Sequence, residues 1–520
     1  MKTLFVNGKV FLGNNKFADA VGFDDETGKI IFTGISEQSD LIKNEYSEVI
    51  DVKNKLVLPS FTDGHCHFIE GSFLNSRLNL RNAATKNDFK EGIKKCRSIN
   101  NNQWIFGGYF SESNFLEKIQ LDKFFLDEIC DDIPLIISRF DTHSAFANSK
   151  ALEMSGIVNS RSEFTSFELI QDENGFTGEL KERAMNFVLD KIPAASLSER
   201  TAVVLKELSN LHSLGITAIS DITRSDDLEI YKELINKDKL LLNVDSRLPF
   251  SEFHNIEKIK EEFSEFTDLI KFNSLKAFYD GSLSSRTAYM HSNYKNSNHN
   301  GIRTEFVNSG EFEKAAFEID KAGYQMSVHA IGDKAVTELL DLNEELIRIN
   351  GVRDRRFRIE HAQHIAENDF ERFKKLNVIA SVQPSHLFSD AKTSSEILND
   401  FTSEHNYKKL FDIGARVCFG TDFPIVGVSP FETIYYAVTR KATAFPEGFM
   451  TENCISAEES ITAYTEANAY ASFDENERGN IQPGKSADLI VMEDDILNIN
   501  TDETINAKVS MTYFNGKRIF

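Results

Sequence analysis

Cysteine is sparse and unpatterned in this sequence. The five cysteines, Cys66, Cys96, Cys130, Cys418 and Cys454, are odd in number and include no Cys-x-x-Cys pair. A disulfide framework is therefore not expected, and a reducing compartment fits. Positive charge is also short: 58 Lys and Arg stand against 81 Asp and Glu, for a net charge of −23. Nucleic acid or an anionic membrane would need a basic surface, so neither is expected as a partner. No run approaches the ~18 apolar residues of a membrane span. The opening segment Met1–Phe11 has no apolar leader pattern. A cytoplasmic protein is expected. No repeat or low-complexity tract breaks the sequence. What is present in quantity is core material: 41% of the 520 residues are apolar, with 43 Phe.

Both ends read as short strands and turns. Thr3–Val6 and Lys9–Phe11 flank Asn7-Gly8, a strong hairpin signal. Asp25–Gly28 precedes the strand-like Lys29–Thr33, and Val49–Val52 leads into Leu56–Leu58. At the other end Ala487–Met492 follows the turn Pro483-Gly484-Lys485, and Val509–Phe514 faces Lys517–Phe520 across Asn515-Gly516. Neither end alone carries enough strands for a stable sheet. The simplest arrangement pairs residues 1–57 with 475–520 in one composite β-sandwich; two separate β appendages are the alternative.

Residues 58–474 alternate apolar strands with helical patterns, the signature of a parallel α/β architecture. Eight barrel strands are expected at Leu58–Gly64, Ile216–Ile222, Leu241–Leu248, Leu275–Tyr279, Gln325–Ala330, Arg358–His361, Val378–Gln383 and Val417–Thr421. Helical patterns lie between most of them, as at Ser198–Leu214, Gly310–Ala322, Asp333–Asn350 and Glu367–Leu376. The fold class is thus α/β, a (β/α)8 TIM-like barrel. Roughly 150 residues separate the first two strands, far beyond a βα loop. The segment at about 70–205, with its own strand Pro134–Arg139, reads as a subdomain inserted at the C-terminal face, where barrel loops build pockets.

The polar residues suited to a metal fall at predicted strand ends: His65 and His67 after the first, Lys276 in the fourth, His329 at the fifth, His361 at the sixth and Asp422 after the eighth. In a barrel that is one rim. Strand side chains alternate, so His65 and His67 can face the same way while Cys66 faces the helices. Imidazole and carboxylate suit a divalent ion such as zinc, one or two in number. Lys276 lies among apolar neighbours. A desolvated amine there could react with carbon dioxide to give a carbamate ligand; the alternative is a lysine facing the helices or paired with Asp280 or Asp333. Taken singly, His329 and His361 read as core histidines; together at matching strand ends they read as ligands. Asp422 is the candidate catalytic acid–base group, against a turn aspartate before Pro424. His364, just beyond His361, reads as a surface or supporting residue.

These segments resemble those of the amidohydrolase superfamily, in particular its YtcJ-like branch with the N-substituted formamide deformylases. The resemblance rests on Pro59–His67, Lys276–Ala288, Val328–Asp333, Ile359–Gln363, Gln383-Pro384, Gly420–Pro424 and Gln482–Leu489 in order, and on Asp141–Leu152 in the insertion. It implies a metal-activated water attacking a carbonyl, usually with loss of an amine. It implies His65, His67, His329, His361 and Asp422 as ligands or catalytic groups, with Lys276 carboxylated in some members. Substrate contacts are expected from His143, Trp104 and Tyr109, with Glu182, Arg286 and His386 weaker candidates that could equally be structural. Tyr109-Phe-Ser-Glu112 departs from the Gly-Trp-Asp-Glu pattern common in the branch. The expected activity is hydrolysis of a non-peptide carbon–nitrogen bond in a small molecule, with a homodimer left open. A deaminase or C–O hydrolase of the same fold, or an inactive regulatory protein, are the other readings.

Overall fold

The computed structural model describes residues 1–99, 104–139, 143–173 and 175–520. By its internal contacts the chain forms two compact units, one of Met1–Phe68 with Leu205–Phe520 and one of Ile69–Val204. No helix among the described residues is long and apolar enough to cross a membrane.

The larger unit contains eight parallel strands paired in chain order: Phe61–Cys66, Ile216–Ile222, Asn243–Pro249, Ile270–Phe278, Gln325–Ala330, Arg358–His361, Ile379–Val382 and Arg416–Phe419. Helices follow most of them, among them Asp333–Asn350, whose Ala335, Val336, Leu339 and Leu340 are buried at helical spacing. This is the expected (β/α)8 barrel. Its last seam closes by backbone bonds beyond the eighth strand: the Asp422 amide donates to the His65 carbonyl, and the His67 amide to the Phe423 carbonyl, both at 2.7 Å. Two side chains stitch the same seam. Asp63 accepts from the Thr421 amide and hydroxyl, and the Asn468 amide donates to the carbonyls of Thr62 and Phe419.

Gly420 makes this closure sterically feasible. A Cβ there would meet the His65 backbone nitrogen at 2.3 Å, a contact the backbone cannot relieve. Gly420→Ala is expected to cost at least the ~1–3 kcal/mol typical of overpacking. Thermal unfolding checks this, and a variant of wild-type stability would contradict it.

Two expectations are corrected. Leu58–Gly64 is not one strand: Leu56–Pro59 lies in another sheet, antiparallel to Leu489–Met492, and the barrel strand begins at Phe61. Nor do Thr3–Val6 and Lys9–Phe11 form a hairpin. Lys2–Val6 pairs with Ala20–Asp24 and Glu48–Asp51, whereas Lys9–Phe11 pairs with Phe17–Ala18 and Leu56–Pro59 in the second sheet. Asn7 adopts the left-handed backbone a tight turn needs, but the turn hands the chain from one sheet to the other. That second sheet, shared by both chain ends, and the first enclose one core of Phe5, Val21, Phe23, Val57, Leu489, Val491 and Tyr513.

The smaller unit is a six-stranded sheet of Leu169–Asp172, Gly175–Lys181, Ser144–Ala147, Leu135–Arg139, Ile105–Phe110 and Leu78–Asn79. Alternation along Leu135–Arg139 sends Leu135 and Ile137 into one apolar cluster and Ile136 into another, so both faces are covered. The strand expected at Pro134–Arg139 is the fourth of these.

Candidate metal centre

The centre is assembled by strand ends that turn abruptly. His361, the last residue of the sixth strand, Ala362, just after it, and Asp422, after the eighth strand, have positive φ of 72°, 41° and 59°. Non-glycine residues seldom adopt that conformation unless their surroundings impose it, and such strain gathers at functional sites. Candidate ligand atoms of His65, His361 and Asp422 all lie within 4.8 Å of one another, and all three residues are buried.

One carboxylate oxygen holds the centre together. Asp422 Oδ1 lies 3.3 Å from His65 Nε2 and 3.3 Å from His67 Nε2, and Oδ2 lies 3.8 Å from His386 Nε2. Burial alone would raise the Asp422 pKa, but the bonds to His65 and His67 hold the carboxyl well below its usual range. The His361 ring sits 5.1 Å from that of His65, 4.4 Å from His329 and 6.1 Å from His386. Burial and its neighbours keep His361 neutral. Burial, then the Lys276 cation, lowers His329 to about 3. Neutral imidazoles are the form that binds metal.

His65 is fixed from behind. Its Nδ1 lies 2.6 Å from Glu360 Oε2, and Glu360 is wholly buried. Glu360 Oε1 accepts from Arg358 Nε at 2.8 Å, Arg247 Nη1 at 3.1 Å and the Ser327 hydroxyl at 2.6 Å. Burial would raise its pKa; Arg358, His65 and Arg247 hold it well below the ordinary carboxylate value. Glu360 thus anchors the ring through Nδ1, and Nε2 faces Asp422. Two imidazole nitrogens and a carboxylate oxygen then crowd one point. The donor set fits a cation there, and His361 Nδ1, buried without a hydrogen bond, is a further unclaimed donor.

Lys276 is 3% exposed, and its Nζ has no hydrogen bond; it lies 4.8 Å from the Phe278 ring centre. Burial lowers its pKa to about 8, with Glu360 and Asp422 opposing. Asp280 is not its partner, because its carboxylate accepts the amides of Tyr289, Ile331 and Gly332.

The residues expected to touch substrate divide. His386 joins the centre through Asp422 and His361. Arg286 is half-buried in the loop after the fourth strand, with left-handed backbone. His143, Trp104 and Tyr109 belong to the smaller unit. Trp104 and Tyr109 line a cavity of about 610 Å³ there with Phe73, Arg77, Phe106 and Arg200. The His143 side chain is 71% exposed, with Nδ1 3.2 Å from Glu182. Asp141 and Thr142 of the insertion motif lie outside the described residues. His364 is no surface residue: it is fully buried, 2.9 Å from Glu404. Sequence reasoning missed Glu360, Arg247 and Arg358. Their signal was charge repeating at i and i+2, in Asp245/Arg247 and Arg358/Glu360, within strands otherwise apolar.

Comparison with known proteins bears on this geometry. The model described as "Amidohydrolase family" matches residues 48–520. Protein LONG AFTER FAR-RED 3 of Arabidopsis thaliana is 27% identical over 99% of this chain and 91% of its own. The putative amidohydrolase YtcJ of Bacillus subtilis (strain 168) is 26% identical over 100% and 99%, and the N-substituted formamide deformylase of Arthrobacter pascens 26% over 94% and 93%. Among solved structures, an uncharacterized metal-dependent hydrolase from Pyrococcus horikoshii OT3 superposes with a TM-score of 0.76 at 24% identity. The match covers 96% of this chain and 99% of that one.

Proposed function

The chain belongs to the amidohydrolase family, and from that premise we propose that it hydrolyses a carbon–nitrogen bond, other than a peptide bond, in an amide- or N-substituted-formamide-like small molecule. The observation that carries this reading is Asp422 Oδ1 standing 3.3 Å from both His65 Nε2 and His67 Nε2 in a buried site. His65, His67, His361 and Asp422 would hold a divalent ion of the zinc class, with His329 and Lys276 at its edge. When bound, such an ion supplies Lewis acidity that polarises a carbonyl and lowers the pKa of water.

The chain's own groups do the rest. Asp422, ionised through the neutral range, takes the proton of the attacking water at Oδ1 or Oδ2. It then returns that proton to the departing nitrogen, which leaves as a neutral amine. Glu360 keeps His65 in the tautomer that presents Nε2. His386, 3.8 Å from Asp422 Oδ2 and kept neutral by burial, borders the oxygen that faces away from His65. The deformylase relative supplies the choice of substrate class.

The test is a panel of N-substituted formamides, simple amides, esters and amino-heterocycles incubated with zinc-reconstituted protein. Release of amine is expected, abolished by chelation and restored by Zn(II). Release of ammonia or alcohol alone would replace this reading with a deaminase or a C–O hydrolase, and no turnover of any member would end it.

Lys276 carries a finer proposal: its desolvated amine is carboxylated by carbon dioxide and contributes an oxygen ligand. Reconstitution with bicarbonate is then expected to recover several-fold more activity than reconstitution in carbon-dioxide-free buffer. Lys276→Ala should be rescued partly by added short carboxylic acids. Bicarbonate-independent recovery would leave Lys276 a free amine.

A further inference from the structure

A second group of donors, two of them buried and one half-buried, shares no residue with the first. Asp390 lies in the helix Leu387–Ile397, and Glu404 and His405 precede the helix Tyr407–Asp412. One ligand atom from each lies within 4.8 Å of the others. His405 Nε2 stands 3.2 Å from Glu404 Oε1 and 3.7 Å from Asp390 Oδ2. Glu404 is fully buried and His405 is 3% exposed.

The contacts are not those of an ordinary hydrogen-bonded cluster. Both ring nitrogens of His405 are buried without a well-aligned hydrogen bond, although burial would raise the Asp390 carboxyl and His405 lies near enough to help hold it below its usual range. A histidine placed to pair with carboxylates would aim an N–H at one of them. Here Nε2 instead sits at the separations that ligands keep when an ion lies between them. Bonds of about 2.0–2.2 Å in a tetrahedral site put neighbouring ligand atoms about 3.3–3.6 Å apart.

The surroundings orient both carboxylates toward that point. The Gln363 side-chain amide donates to Asp390 Oδ2 at 3.1 Å and to Glu404 Oε1 at 2.8 Å. Each oxygen keeps a second lone pair. Glu404's other oxygen lies 2.9 Å from His364 Nε2. The backbone is clamped too: buried Arg440 donates to the carbonyls of Glu404 and His405, and the His405 amide to that of Gln363. Supporting donors on ligating carboxylates are what metal sites use to fix geometry.

We propose that Asp390 Oδ2, Glu404 Oε1 and His405 Nε2 form a second metal site, for a zinc-class divalent ion, distinct from the centre at Asp422. Two carboxylates and a neutral imidazole give a charge-balanced set for such an ion, and the imidazole argues against magnesium or calcium. The role is structural. The ion ties the 404–405 loop to the helix that begins beside His386. The inference rests on these residues alone and stands whatever bond the enzyme cleaves.

The test counts metal. Full-length wild-type protein, His405→Gln and Asp390→Asn are loaded with Zn(II), desalted and analysed by mass spectrometry. Each variant is expected to hold one equivalent less per chain than wild type, with an unchanged circular dichroism spectrum. His67→Ala, which disturbs only the first centre, should keep the ion at His405. Equal zinc in wild type and His405→Gln overturns the proposal. Because a variant could fold poorly, wild-type crystals grown with zinc decide independently. An anomalous peak at the zinc edge between Asp390, Glu404 and His405 supports the site. A map with a peak at Asp422 but none at His405 overturns it, and leaves the cluster an ion pair of Glu404 with His364.

Discussion

Replacing Asp422 by Asn is expected to lower kcat by about 10²–10⁴-fold, the range general acid–base groups contribute. The amide keeps the shape of the side chain and its backbone bond to His65, so the fold should survive. What disappears is the carboxylate that stands 3.3 Å from both His65 and His67. The pH profile should report the same residue. A carboxyl whose folded pKa lies well below the ordinary value stays ionised as pH falls through the usual carboxylate range. Wild-type activity should therefore lose no base in that range, and any acid limb there belongs to another group. Steady-state kinetics with the metal content of each sample would show this. An Asp422→Asn enzyme within tenfold of wild type at equal metal occupancy would remove Asp422 from the chemistry.

Glu360→Gln should do more damage to the protein than to any single step. Glu360 pairs with two guanidiniums, Arg247 and Arg358, that are 0% exposed, and Asp245 supplies the second negative charge. Removing one partner of a buried ionic network leaves uncompensated charge and costs about 3–5 kcal/mol. It also frees His65 Nδ1 from its acceptor, and losses of that kind weaken metal binding by about 10–100-fold. The two effects can be separated. Adding Arg358→Met to Glu360→Gln should recover part of the stability, since Arg247 keeps Asp245 at 3.0 Å, but none of the metal affinity. Denaturant unfolding and zinc titration of both variants would measure this. Wild-type zinc affinity in Glu360→Gln would mean that His65 needs no orienting carboxylate.

Much of the barrel was legible because strand periodicity and strand-end chemistry coincide. Ile216–Ile222, Gln325–Ala330 and Arg358–His361 have the bounds the sequence pattern implies, and His65, His361 and Asp422 meet at one rim. Errors arose where a local signal had a long-range outcome. Asn7-Gly8 states that the chain turns, but which strands flank it depends on partners as distant as Leu56–Pro59. The run Leu58–Gly64 is apolar for most of its length, and periodicity cannot show that Ser60 separates two sheets. The interior charges were hidden for a different reason: Arg358 and Glu360 look anomalous in a strand until Arg247, from a strand far earlier in the chain, is beside them. The group at Asp390, Glu404 and His405 was invisible because no spacing rule links a helix residue to two donors in an irregular loop.

The seam of the barrel has a consequence for how such a protein can change over evolutionary time. The bonds from the Asp422 amide to the His65 carbonyl and from the His67 amide to the Phe423 carbonyl register the acid against the imidazoles before the chain departs at Phe68 into Ile69–Val204. The placing of Asp422 against His65 and His67 is thus specified by hydrogen bonds internal to one unit, and neither of them passes through the other. The span Ile69–Val204 can be lengthened, trimmed or rewritten by mutation while those bonds stay in place. Changes in that span and changes in the centre are thereby separately inheritable.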